Sequence, residues 1–238
     1  MDDLGIPGEN RRIYAIGDIH GRLDLLERTI AAIAQDASGH DGGSLTVTVG
    51  DYVDRGPQSR GVIERLSRNP FPGDYVALKG NHEALLEAFL ADPRIGAHWE
   101  RLGGLETMGS FGVRAATLLG GRDFDRAAAQ LAAALTPDHR AFLASLTTSH
   151  TAGGYFFCHA GVRPGVPLDR QSDEDLLWIR DEFLDSDMDF GKVVVHGHTP
   201  VAAPQVRANR INIDTGAFAT GRLSCVVLEG GRHRFLAA

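Results

Sequence analysis

Residues Ser44 to Gly56 read SLTVTVGDYVDRG, a β-prone run that stops at Gly50 and at once presents two aspartates and an arginine before the next glycine. The run's β-branched residues favour a strand. Asp51, Asp54 and Arg55 crowded into one turn are costly unless something charged lies among them. The same pattern recurs on either side. RIYAIGDIHG (12–21) and DYVALKGNHE (74–83) are also apolar runs that end at a glycine followed by ligand-type side chains. Between them, RLDLLERTIAAIAQDA (22–37) carries Leu23, Leu26, Ile30 and Ile33 at helical spacing. SRGVIERLSRN (59–69) and ALLEAFLAD (84–92) read as further helices. This β-α-β-α-β-α order predicts an α/β fold with its loops gathered at the carboxyl ends of the strands.

The rest of the chain divides in two. Residues 91–147 read as a mainly helical, cap-like insertion, with DRAAAQLAAAL (125–135) rich in alanine. In LTPDHRAFLASL (135–146), Thr136 is placed as N-cap and Pro137 as the first helical residue. From Tyr155 the signals turn to β: YFFCHAG, KVVVHGHTP, RINIDTGAF and RLSCVVLEGG. No repeat or low-complexity linker separates the parts, so one domain over 1–238 is expected.

Composition narrows the classes. With 24 basic against 31 acidic side chains, the 238-residue chain carries a formal charge of −7. That argues against broad electrostatic binding of nucleic acid. No apolar run approaches the roughly 18–20 residues needed to span a bilayer, so no membrane partner is expected. The opening MDDLGIPGENRR lacks the basic-then-apolar order of a secretory signal. Two cysteines, Cys158 and Cys225, suggest no disulfide framework. The expected compartment is therefore the cytoplasm. Nothing in the sequence sets an oligomeric state.

Five strand ends carry chemistry: GDIHG (17–21), GDYVDRG (50–56), GNHE (80–83), CHAG (158–161) and GHTP (197–200). Taken singly, each has a plain reading, since Gly-Asp after a strand is usually a turn and a lone histidine is more often a hydrogen-bonded residue than a ligand. Taken together, they offer only oxygen and nitrogen donors and no thiolate, a set suited to Mn²⁺, Fe²⁺ or Zn²⁺. Alternate residues of a strand face one side, so His196 and His198 stay equivalent on this reading. Glu83 reads as a helix-starting acid favoured by the helix dipole. His40, His98, His139, His150 and His233 lie outside the five loops.

These five motifs together resemble the signature of the phosphoprotein phosphatase family within the calcineurin-like metallophosphoesterases, nearest to its bacterial and phage, lambda-phosphatase-like branch. Weaker similarity covers HWERLGG, LLWIR and INIDTGAFATG, so the resemblance runs from about residue 12 to about 230. It implies a β-sandwich flanked by helices with two divalent metal ions, manganese first and iron(II) or zinc as alternatives. Asp18 and His20 would bind the first ion, Asp51 would bridge both, and Asn81, His159 and His198 would complete the second. His82 would be the general acid, oriented by Asp54, and Arg55 and Arg180 would clamp the phosphate. Asp214 matches a family position, with a supporting role expected.

The implied reaction is hydrolysis of phosphoserine and phosphothreonine, with phosphotyrosine as an extension, by direct attack of a metal-bridging hydroxide. The partner is then a phosphoprotein or a small phosphoester. The alternative is symmetrical diadenosine tetraphosphate hydrolysis on the same scaffold. A third reading, a catalytically silent metal-binding module, predicts a missing ligand or acid, and none is missing.

Overall fold

The computed structural model describes residues 11–113 and 123–236. Residues 1–10, which include most of the polar start, and 114–122, within the expected helical insertion, lie outside the described residues.

Two five-stranded sheets form the frame. In the first, β1 (Arg12–Ile16) pairs in parallel with β2 (Ser44–Thr48), and β2 with β3 (Asp74–Ala77). On the other side of β1, β9 (Cys225–Glu229) and β10 (Arg232–Leu236) add antiparallel, giving the order β10-β9-β1-β2-β3. The second sheet has the order β4-β5-β6-β8-β7. Its central strands β5 (Tyr155–Cys158), β6 (Val193–His196) and β8 (Arg210–Asn212) are parallel. Its edges β4 (Ser149–Ala152) and β7 (Gln205–Val206) are antiparallel.

Alternation along each strand explains why the sheets stack. Ile13, Ala15, Leu45 and Val47 point one way and meet Tyr155, Phe157, Val195 and Ile211 of the other sheet in a shared apolar layer. Tyr14 and Ile16 point the opposite way, into a core built with α1 (Leu23–Ala37), α2 (Ser59–Leu66) and α3 (Asn81–Ala91). Phe156, Cys158 and Val194 face outward on the second sheet against Leu176, Ile179 and Phe183. Both faces of the central strands are thus covered, which is why those strands read as near-continuous apolar runs. Each fully buried Leu, Ile or Phe in such layers contributes roughly 1.5–3 kcal/mol.

The expected β-sandwich flanked by helices is therefore the observed architecture. Of the four positions that set the helix-1 stripe, Leu26, Ile30 and Ile33 are buried and Leu23 is partly so. Among the described residues of 91–147 lie α4 (Gly96–Glu100), α5 (Gly104–Ser110), α6 (Phe124–Ala134) and α7 (Pro137–Ser145), with a 3₁₀ turn at Pro93–Ile95. Trp99, Met108, Phe111, Leu131 and Phe142 from this segment join the same core as α1 and α2. Thr136 caps α7 by accepting from the His139 amide at 3.3 Å, with Pro137 at the first turn. In the second half lie α8 (Asp173–Trp178), α9 (Asp181–Leu184) and α10 (Ala217–Thr220). No helix among the described residues is long and apolar enough to cross a membrane.

The two parallel triplets place the loops after β1, β2 and β3 beside those after β5 and β6. Close approach demands glycine here. Gly50 has φ +105°, and a Cβ on it would lie 2.6 Å from the Gly80 nitrogen. The loop after β2 and the start of α3 can meet only without a side chain at this point.

Candidate active site

Six non-glycine residues among those described have positive φ: His20, Asp51, Asp54, Arg55, Asn69 and His198. Five of them are residues that the sequence marks for chemistry, and Asn69 alone is an ordinary turn. Left-handed backbone costs about 1–3 kcal/mol per residue and persists only where the surroundings enforce it. The Asp54 amide is held by Ser59 and Thr107 and the Arg55 amide by the Gly103 carbonyl, whereas for Asp51 the enforcing group is Glu83, fully buried in the first turn of α3. One carboxylate oxygen accepts from the amides of Asp51 (2.9 Å) and Gly80 (2.9 Å), and the other from Tyr52 (2.8 Å) and Val53 (3.2 Å). Burial pushes its pKa up to about 7. The sequence reading of Glu83 as a helix-starting acid holds, but it misses this clasp between two loops.

Two groups of donor atoms converge, each within 4.8 Å: His20, Asp51 and His82, and Asp51, His159 and His198. Asp51 belongs to both. In the first, His20 donates Nδ1–H to the Val53 carbonyl (2.8 Å), which turns Nε2 toward Asp51 Oδ2 at 3.4 Å. Burial holds His20 neutral, with its pKa lowered to about 3. In the second, His159 donates Nδ1–H to the Val49 carbonyl (2.9 Å) and aims Nε2 at Asn81 Oδ1 (2.8 Å) and Asp51 Oδ1 (3.4 Å). His198 Nδ1 meets the same Asn81 oxygen at 2.9 Å. Burial lowers the pKa of His159 and takes that of His198 to about 2. A neutral imidazole with one nitrogen pinned by a carbonyl has the other free to bind a metal.

Asp18 stands beside rather than within these groups. Its Oδ2 accepts from the His198 amide at 3.0 Å, and its Oδ1 is buried without a hydrogen-bond partner. Burial, with Asp214 and Asp51 nearby, raises its pKa well above the usual carboxylate range. Asp214 is pushed up to about 6 by burial and accepts from the Gly216 amide at 2.8 Å. The two histidines that the sequence leaves equivalent are separated by geometry. His196 is fully buried edge-on against Phe183, its Nδ1 beside the Gly197 carbonyl, while His198 lies in the donor group.

These residues fit a divalent cation pair. Among the described residues, no lysine or arginine forms an ion pair with Asp18, Asp51 or Asp214; Asp51 has only histidines around it. Asp18 Oδ1 and His198 Nε2 are both buried and unpartnered. A Cβ at Gly197 would strike Asp18 Oδ1, so the loop is shaped to leave that oxygen room. Buried carboxylates in such numbers require compensating positive charge.

Next to the groups lies a histidine–carboxylate pair. His82 donates Nδ1–H to Asp54 Oδ2 at 2.6 Å. Asp54 is fully buried and also accepts from Trp99 Nε1 (2.7 Å) and Thr107 Oγ1 (2.6 Å). Burial alone would lower the His82 pKa, but Asp51 and Asp54 outweigh it and raise the net value. Arg55 Nη2 is 3.3 Å from His82 Nε2. Arg180 is exposed, and its charge opposes protonation of His159 and His198. Trp99 and Thr107 carry no sequence signal for this role, because they lie 45 and 53 residues from Asp54. His98, by contrast, is exposed.

Replacing Glu83 with Ala leaves four buried amides without their acceptor. With each lost charge-assisted bond costing on the order of 1.5–3 kcal/mol, Glu83→Ala should destabilise the fold by more than about 3 kcal/mol in urea unfolding. A loss below about 1 kcal/mol would show that the clasp carries no weight.

Comparison with known proteins agrees with this geometry. The calcineurin-like phosphoesterase family matches residues 11–222. Serine/threonine-protein phosphatase 2 of Escherichia coli (strain K12) is 30% identical, over 90% of this chain and 91% of its own. An asymmetrical bis(5'-nucleosyl)-tetraphosphatase of Anoxybacillus flavithermus is 26% identical, over 89% and 88%. Among solved structures, one provisionally described as a diadenosine tetraphosphatase superposes with a TM-score of 0.65 at 24% identity, covering 97% of this chain and 95% of that one. From its strand-end loops to its matched length, the chain belongs to the calcineurin-like phosphoesterase family.

Proposed function

We propose that the chain is a dinuclear-metal-dependent phosphomonoesterase that hydrolyses phosphoserine and phosphothreonine in proteins, with phosphotyrosine within its range. The observation that carries this reading is the 2.6 Å contact of His82 with a fully buried Asp54, beside an arginine that no carboxylate neutralises among the described residues. The 30% identity to a protein named as a serine/threonine phosphatase supports it. Asp18, His20, Asp51, Asn81, His159 and His198 would hold the two cations, with manganese the first expected.

Once bound, the cations neutralise the buried carboxylates and supply an activated water. The chain's own groups do the remainder. Arg55 and Arg180 receive the non-bridging phosphoryl oxygens, where charge accumulates during transfer. Because Arg55 Nη2 lies 3.3 Å from His82 Nε2, an oxygen held by Arg55 is within reach of a proton on His82. His82 passes that proton to the departing alkoxide, and Asp54 stabilises the imidazolium and fixes the ring through Nδ1. Trp99 and Thr107 keep Asp54 from turning away.

The tetraphosphatase-named relative and structure favour one alternative, hydrolysis of a dinucleoside tetraphosphate. The symmetrical form of that reaction is the one expected from sequence, whereas the curated relative is named asymmetrical. Side-by-side kcat/KM values with Mn²⁺ should favour a phosphothreonyl peptide over diadenosine tetraphosphate. The reverse order would overturn the monoesterase reading.

Asp54 raises the His82 pKa. Removing that carboxylate lowers it, so the protonated acid disappears at a lower pH. In Asp54→Asn the alkaline limb of the kcat/KM profile should therefore move toward lower pH, with kcat reduced roughly 10²-fold or more. An unmoved limb would take the acid role away from His82.

A further inference from the structure

Phe218 is one of the few large apolar side chains left exposed, at 37%. Single exposed apolar residues are ordinary, but this one sits on a fixed base. Its short helix α10 follows the N-cap residue Gly216, whose amide donates to Asp214 Oδ1 at 2.8 Å. Arg22 donates to the Ala217 carbonyl at 2.9 Å, and the Thr220 hydroxyl to the Thr215 carbonyl at 2.8 Å. The ring meets the Arg55 guanidinium at 4.8 Å from its centroid and stands edge-on to His20 at 5.4 Å. His20 in turn stands edge-on to His82 at 4.7 Å. Phe218 therefore lies on the side of the site where the acid is, which is where a leaving group departs.

Beyond Arg55 and Phe218 a cleft of about 470 Å³ opens. Leu102 and Leu105 line it with Phe218, and Glu100, Arg101 and Glu106 complete its wall. Among the described residues that line it, Glu100 and Glu106 match Arg55 and Arg101 in number, which leaves no surplus positive charge for a second phosphate beside the one Arg55 holds. An apolar ring suits the leucines and phenylalanine. Aromatic side chains pair edge-to-face or offset with ring centroids roughly 4.5–7 Å apart, and cation–π contact orients Arg55 without consuming its hydrogen-bond donors.

We propose that Phe218 is a specificity-determining residue: with Leu102 and Leu105 it seats an aromatic ring carried directly on the scissile oxygen, favouring aryl phosphomonoesters, of which the phosphotyrosyl side chain is the protein-borne form. This rests on the phosphomonoesterase reading above. In a dinucleoside tetraphosphate the bases are separated from the central phosphates by further phosphate and ribose, so the same seat gives them no advantage.

The test compares wild type, Phe218→Ala and Phe218→Tyr on one peptide carrying phosphotyrosine or phosphothreonine, with diadenosine tetraphosphate as a third substrate. Comparing each variant with wild type on the same substrate cancels the intrinsic difference in leaving groups. Phe218→Ala should lose about ten-fold more kcat/KM on the phosphotyrosyl peptide than on the phosphothreonyl one. Most of that loss should fall in KM, and Phe218→Tyr should restore it. Equal losses on both peptides would overturn the proposal, assigning Phe218 only to the placement of Arg55. If wild type cleaves the tetraphosphate and neither peptide, the monoesterase reading itself fails, and this proposal with it.

Discussion

The carboxylates of Asp18, Asp51 and Asp214 are each only 2% exposed and share one corner of the protein. Burial removes the water that would stabilise their charge, and their mutual repulsion adds to it, so the pKa values of Asp18 and Asp214 are raised. Histidines surround Asp51, but burial keeps His20, His159 and His198 neutral, so they offer lone pairs rather than charge. His82 and Arg55 bring some positive charge to the edge of this corner, too little for three buried carboxylates, and cations from outside the chain would supply the rest. The donor groups that share Asp51 are arranged to accept it, and each nearby feature follows from that need: imidazoles pinned by carbonyls, an aspartate oxygen without a partner, and a glycine that leaves it room.

Such a cluster does not assemble itself. His20, Asp51 and His198 in it occupy backbone conformations that L-amino acids avoid, and the strain is held by the rest of the fold. Glu83 gathers four amides, two sheets bring their parallel triplets side by side, and Trp99 and Thr107 reach in from the helical segment to lock Asp54. The helices after residue 91 thus do more than cover the core. α4, α5 and the turn between them also line the cleft beside Arg55, where the proposed aromatic seat lies.

Much of this could be read before any coordinates. The loops after β1, β2 and β3 follow apolar runs whose period is plain, and the helix stripe of Leu26, Ile30 and Ile33 is local information. What could not be read was long-range or weakly patterned. Strand β10, RHRFL, is mostly exposed and has no apolar run to announce it; it exists because β9 offers an edge. The antiparallel edges β4 and β7 are similarly short. Trp99 and Thr107 act on Asp54 across about a fifth of the chain, which no spacing rule captures. His196 and His198 share one strand-period reading; the family resemblance picks His198, and the structure sets His198 in the donor group and His196 against Phe183. Phe218 carries no local sequence signal for its place, because the Arg55 guanidinium under its ring comes from a loop 163 residues earlier.

The account turns on whether the buried acidic corner holds two cations through a shared Asp51. Calorimetric titration of metal-free protein with Mn²⁺ addresses this without reference to catalysis. The account predicts two ions per chain for the wild type, and loss of tight binding at both positions in Asp51→Asn, because that side chain belongs to both donor groups. No binding to the folded wild type at millimolar Mn²⁺, or two ions still bound tightly by Asp51→Asn, would contradict it.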